Sequence, residues 1–113
     1  MSAAERNTVI VEIDIEMFAD ERDAGRPVVD VREPDEYSEA HVSGAVLIPL
    51  GQLADRLDEL PAGDLLVICR SGARSMRACE LLVGVGREGT NVAGGTLAWI
   101  ESGRPVLSGP ERG

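Results

Sequence analysis

The run Leu65-Leu66-Val67-Ile68 contains no polar residue and stops at Cys69. A half-exposed strand alternates polar and apolar side chains. An unbroken apolar run therefore belongs to a strand covered on both faces, as in parallel sheets flanked by helices. Val28-Val29-Asp30-Val31 has the same character, with one carboxylate inside it. Between such runs lie stretches of helical periodicity, and this alternation predicts an α/β domain on a mainly parallel sheet.

The remaining elements follow from local signals. Thr8 to Ile13 is expected as a first strand, and a helix from Ile15 to about Ala24 is capped by Asp14 and stopped by Gly25. Pro34 suits the first turn of a short helix reaching about Ala40, and Ala45 to Ile48 is a short strand. Gln52 to Leu60 reads as a helix with Leu53, Leu57 and Leu60 on one face. Cys69 to Arg74 reads as a loop, and a helix from about Ser75 to Val83 places Met76, Cys79, Leu82 and Val83 on its inner face. Asn91 to Ala93 is a last strand, and Gly94-Gly95 opens a helix to about Glu101. Residues 1–113 read as one domain with its core at about 8–103 and a loose tail at 104–113.

The chain has 113 residues, 43% of them hydrophobic and 27% charged, which is enough for a core without metal or disulfide staples. With one Phe, one Tyr and one Trp, that core must be aliphatic. The net charge of -9 disfavours nucleic acid and anionic membranes as partners. No apolar segment approaches the roughly 20 residues of a membrane span. Met1 to Thr8 has no basic stretch leading into an apolar run, so no secretory leader is expected and the expected compartment is the cytoplasm. Two cysteines in that setting read as chemistry or packing rather than a disulfide. Polar helix faces predict a monomer or a weak homodimer.

The charge balance reverses locally. All 11 bases are arginine, and from Cys69 to Cys79 there are three (Arg70, Arg74, Arg77) with no acid. That suggests a site for a small anion, with Arg77 read as a solvated helix residue. Cys69 stands at the carboxyl end of a buried strand, the edge where open α/β sheets bind ligands. Ser71, Gly72, Ala73 and Ser75 are small enough for the backbone to curl and turn successive N–H groups inward. Such a nest at a helix start attracts an anion or a thiolate. It can depress a cysteine pKa from about 8.5 to roughly 3.5–7.5, making Cys69 a nucleophile. Arg70 is placed to meet an anionic substrate; Arg74 either points into the ring or braces it from outside. The plainer reading, an inert core cysteine, fits Cys79 on the apolar helix face better than it fits Cys69.

Four segments together resemble the rhodanese family across nearly the whole chain. They are Asp30-Val31-Arg32-Glu33-Pro34-Asp35-Glu36-Tyr37, His41-Val42-Ser43-Gly44-Ala45, Cys69 to Ser75, and Gly94-Gly95-Thr96-Leu97-Ala98-Trp99. The resemblance implies a five-stranded parallel sheet flanked by helices on both faces, and transfer of sulfane sulfur through a persulfide on Cys69. It implies that the loop Arg70, Ser71, Gly72, Ala73 and Arg74 cradles that persulfide. Asp30, Arg32 and Ser75 are implied in support, Asp30 helping to hold the loop; His41 is read as structural. Ser43 departs from a frequent proline, and the glycine-rich stretch Val83 to Gly89 from a frequent aromatic.

The implied reaction needs no metal or organic cofactor. Thiosulfate or a related small anionic donor would load Cys69, and cyanide, a thiol or a protein acceptor would unload it. Two other readings stand beside it. A cysteine-dependent phosphatase or arsenate reductase usually has a loop one residue longer, and Arg74 here is five positions after Cys69. A binding module or protein-to-protein sulfur relay is the other.

Overall fold

The computed structural model describes residues 9–113. Its frame is a five-stranded sheet, all pairs parallel, of β1 (Glu12–Ile13), β2 (Val28–Asp30), β3 (Val46–Leu47), β4 (Leu65–Ile68) and β5 (Gly89–Val92), in the order β1-β5-β4-β2-β3. The fully apolar run is the central strand, and all four of its residues are buried. Its side chains alternate between two cores. Leu66 and Ile68 join Phe18, Tyr37 and Trp99 on one face; Leu65 and Val67 join Leu53, Ala78, Cys79 and Leu82 on the other.

Helices α1 (Ile15–Asp23), α2 (Pro34–Glu39) and α4 (Gly95–Glu101) bring Phe18, Tyr37 and Trp99 into the first, otherwise aliphatic core. Helix α3 (Ala73–Gly84) and two 3-10 turns cover the opposite face. Asp14 caps α1 as expected, its carboxylate accepting the Met17 N–H at 2.9 Å. Gly89 admits α3 against the sheet: a Cβ there would lie 2.9 Å from Leu82 Cδ1 and 3.1 Å from Val67 Cγ2.

Several expectations need correction. Gln52 to Leu60 is not an α-helix but two 3-10 turns, Leu50–Asp55 and Leu57–Glu59. Leu50 and Leu53, then Leu57 and Leu60, are spaced by three, and a 3-10 turn stacks such residues on one side. Helix α3 begins at Ala73, two residues before the expected Ser75, with Gly72 at φ 120° as its N-cap. The last strand runs Gly89–Val92 rather than Asn91 to Ala93, and the strand expected from Thr8 is regular only at Glu12–Ile13; Thr8 lies outside the described residues.

The segment 104–113 is not loose. Leu107 and His41 exchange backbone hydrogen bonds at 2.9 Å each, and Trp99 Nε1 donates to the Pro105 carbonyl at 2.8 Å. His41, fully buried, holds both ring nitrogens 2.7 Å from carbonyls, those of Tyr37 and Glu111. Irregular chain lacks the periodicity by which a sequence shows order, and the His41 anchors to Leu107 and Glu111 reach across most of the chain.

Candidate active site

Registry places the carboxyl ends of β2 and β4 level, since Asp30 pairs with Ile68. Cys69 leaves the sheet there, 1% exposed, and the chain turns at once into α3. Its Sγ accepts the Gly72 N–H at 3.1 Å and lies 3.3 Å from Ser75 Oγ. Burial pushes the Cys69 thiol up. The Ser75 hydroxyl and the backbone N–H groups of Ser75, Gly72 and Ser71 outweigh it, and the thiol is held below its ordinary value. Cys79 has the opposite fate. Burial, with the nearby charges of Glu80 and Cys69, pushes it up to about 12.

The loop keeps its donors inward because its carbonyls are engaged elsewhere. The start of α4 donates Thr96 N–H and Thr96 Oγ1 to the Cys69 carbonyl, at 2.9 and 3.0 Å, and Leu97 N–H to the Arg70 carbonyl at 3.1 Å. This approach needs Gly95, which sits at φ +57°. A Cβ there would stand 2.5 Å from the Cys69 carbonyl oxygen. Gly95→Ala is therefore expected to cost at least about 1–2 kcal/mol from the left-handed conformation alone, and to push the loop off α4. Urea unfolding and the reactivity of Cys69 check both effects, and an unchanged midpoint with unchanged reactivity contradicts them.

The two arginines of the loop part company. Arg70 is exposed and lines a cleft of about 200 Å³ with Arg32, Glu36, Leu97 and Ile100, beside the loop rather than over Cys69. Arg74 turns outward, its Nη1 and Nη2 each donating at 2.7 Å to one oxygen of Glu36. That pair ties α3 to α2 and, against the upward push of burial and with help from the Glu33 N–H, holds Glu36 down to about 2. A depressed carboxyl contributes stability above its unfolded value of 4.5 that is lost as pH falls towards about 2. Glu36→Gln is expected to flatten the pH dependence of thermal unfolding in that window; an acid limb identical to that of the parent chain would contradict it.

Asp30 and Arg32 form a buried pair, Nε to Oδ1 at 3.0 Å and Nη2 to Oδ2 at 2.8 Å, with Asp30 0% and Arg32 5% exposed. Oδ1 also accepts the Arg32 backbone N–H, and Nη2 reaches the Ala40 carbonyl. Asp30 thus braces the β2–α2 turn rather than hydrogen-bonding the Cys69 loop. Ser71 is an exposed loop residue, Ala73 is exposed at the first position of α3, and Arg77 is exposed on α3 as expected. Sequence reasoning passed over Asn91, Glu12 and Glu36. Asn91 is polar within a strand and 0% exposed, which is the one signal that marks it.

The frame is thus a parallel α/β sheet that presents a cysteine to main-chain N–H donors at its carboxyl edge. The family model for the rhodanese-like domain matches residues 14–102. A sulfurtransferase of Allochromatium vinosum is 37% identical over 84 residues, covering 72% of this chain and 78% of its own. Thiosulfate sulfurtransferase 18 of Arabidopsis thaliana is 30% identical over 122 residues, covering 94% and 90%. A rhodanese-related crystal structure from Thermoplasma volcanium superposes with a TM-score of 0.79 at 33% identity, covering 86% of this chain and 97% of that one. The chain belongs to the rhodanese-like family, and its relatives support a sulfurtransferase role.

Proposed function

We propose that this chain transfers sulfane sulfur from a small anionic donor, thiosulfate foremost, through a persulfide on Cys69. The observation that carries the reading is the Cys69 sulfur itself, buried at the end of the central strand yet held below its ordinary pKa by hydrogen-bond donors. The thiolate attacks the outer sulfur of thiosulfate, the S–S bond of the donor breaks, and sulfite leaves with that bonding pair. The persulfide anion formed keeps the overall charge balanced. An attacking acceptor thiolate or cyanide then takes the outer sulfur and returns Cys69 as thiolate. Inward amides suit charge on either sulfur, which is preorganised electrostatics rather than proton transfer.

Arg70, exposed one residue after Cys69, favours an anionic donor, and the Arabidopsis relative is named a thiosulfate sulfurtransferase. The commitment of Arg74 to Glu36 speaks against a phosphatase, since that arginine does not close over the ring to clamp a tetrahedral oxyanion. The test is a donor panel of thiosulfate, mercaptopyruvate and glutathione persulfide, read by intact mass. One added sulfur per chain is expected, most readily from thiosulfate. No gain from any donor overturns the reading.

A further inference from the structure

Ser75, buried in the first turn of α3, has one hydroxyl proton and three candidate acceptors. Asn91 Oδ1 lies at 2.5 Å, the Gly72 carbonyl at 3.2 Å and Cys69 Sγ at 3.3 Å. The proton serves one of them at a time, and the surroundings of Asn91 decide which.

Asn91 lies in β5, in register with Glu12 of β1. Its Nδ2 donates to Glu12 Oε2 at 2.7 Å and to the Gly72 carbonyl at 3.2 Å, which uses both amide protons. Turning the amide over would set Oδ1 against a carboxylate and a carbonyl. Oδ1 therefore faces Ser75, and as a pure acceptor it takes the hydroxyl proton. A protonated Cys69 can then donate its S–H to Ser75 Oγ. An ionised Cys69 must compete with Asn91 for the same proton.

We propose that Asn91, oriented by Glu12, is a positioning residue that governs through the Ser75 hydroxyl how much hydrogen bonding the inner sulfur of Cys69 receives. The idea rests on the reading of Cys69 as a sulfur carrier. In the resting enzyme the charge is on Sγ, and the Ser75 proton turns to it. In the persulfide the charge moves to the outer sulfur, Sγ is no longer anionic, and the proton returns to Asn91. The resting thiolate is thereby kept from being over-stabilised relative to the loaded form.

Asn91→Leu removes the acceptor while keeping a side chain of similar size. The Ser75 proton then has only the neutral Gly72 carbonyl to compete with the sulfur, and a thiolate is the stronger acceptor, so the thiol ionises at lower pH and its thiolate becomes less basic. For each tenfold gain in acidity, intrinsic nucleophilicity falls about threefold, given a Brønsted slope of about 0.4–0.5. The rate of alkylation by iodoacetamide against pH is expected to cross the parent profile. It should be faster at low pH and, for a tenfold shift, about threefold slower on the plateau. In a Ser75→Ala background the same substitution is expected to shift nothing, because the coupling runs through the hydroxyl.

A folded Asn91→Leu chain whose profile does not cross, or a shift that persists without Ser75, overturns the proposal. The unsubstituted protein supplies an independent measurement. The side-chain carbonyl carbon resonance of Asn91 is expected to follow the Cys69 titration, and a flat resonance is equally fatal whether or not the variants fold. These experiments read ionisation, not sulfur transfer. A chain that takes up no sulfur but shows the crossing profile loses the carrier reading and keeps the coupling.

Discussion

Cys69→Ser is expected to reduce sulfur uptake from one atom per chain to none. A serine oxygen in the same ring is not ionised near neutral pH and cannot form a persulfide, so the first half-reaction has no nucleophile. The second cysteine does not rescue it. Cys79 is buried on the inner face of α3 and pushed up to about 12, which leaves almost no thiolate at neutral pH. Intact mass after incubation with thiosulfate should show one added sulfur in the parent chain, one in Cys79→Ala and none in Cys69→Ser. Sulfur retained by Cys69→Ser would move the chemistry to Cys79 and remove the basis of the proposed function. Alkylation of Cys69 against pH adds a second reading. Its midpoint is expected below that of an ordinary thiol, in keeping with the direction of its shift.

Arg32→Met is expected to cost about 3–5 kcal/mol of folding stability, the usual loss when one partner of a buried ion pair is removed. A small domain has only about 5–15 kcal/mol in total. The reason lies in Asp30, which is 0% exposed and keeps only the Arg32 backbone N–H when the guanidinium is gone. The double substitution Asp30→Asn with Arg32→Met is expected to recover much of the loss, because it removes the uncompensated charge. Urea unfolding of the two single variants and the pair measures this directly. A single Arg32→Met chain as stable as the parent would show that the pair is not needed to hold the β2–α2 turn.

The class of fold was readable because its strongest signal is local. Leu65 to Ile68 and Val28 to Val31 are apolar without interruption, and only a strand with both faces covered tolerates that pattern. The position of Cys69 was readable for the same reason: a strand end, small residues and a helix start follow one another along the chain. The segment from Gln52 to Leu60 was misread because leucines spaced by three and four fit an α-helix and a pair of 3-10 turns equally well on paper. The tail was misread because its order comes from His41, Ser38 and Trp99, all distant in sequence or outside any periodic pattern.

The chain by itself settled which residues are apolar, where they repeat, and which cysteine stands among donors. Those properties belong to short stretches and survive without knowledge of the fold. The tertiary structure alone decided the partners of the polar side chains. It gave Arg74 to Glu36 and Arg32 to Asp30. It also set Asn91 between Glu12 and Ser75, and laid the start of α4 against the Cys69 carbonyl. A hydrogen bond depends on tenths of an ångström and on angle between groups that lie on different elements, and no one-dimensional pattern records where parallel strands bring those elements together.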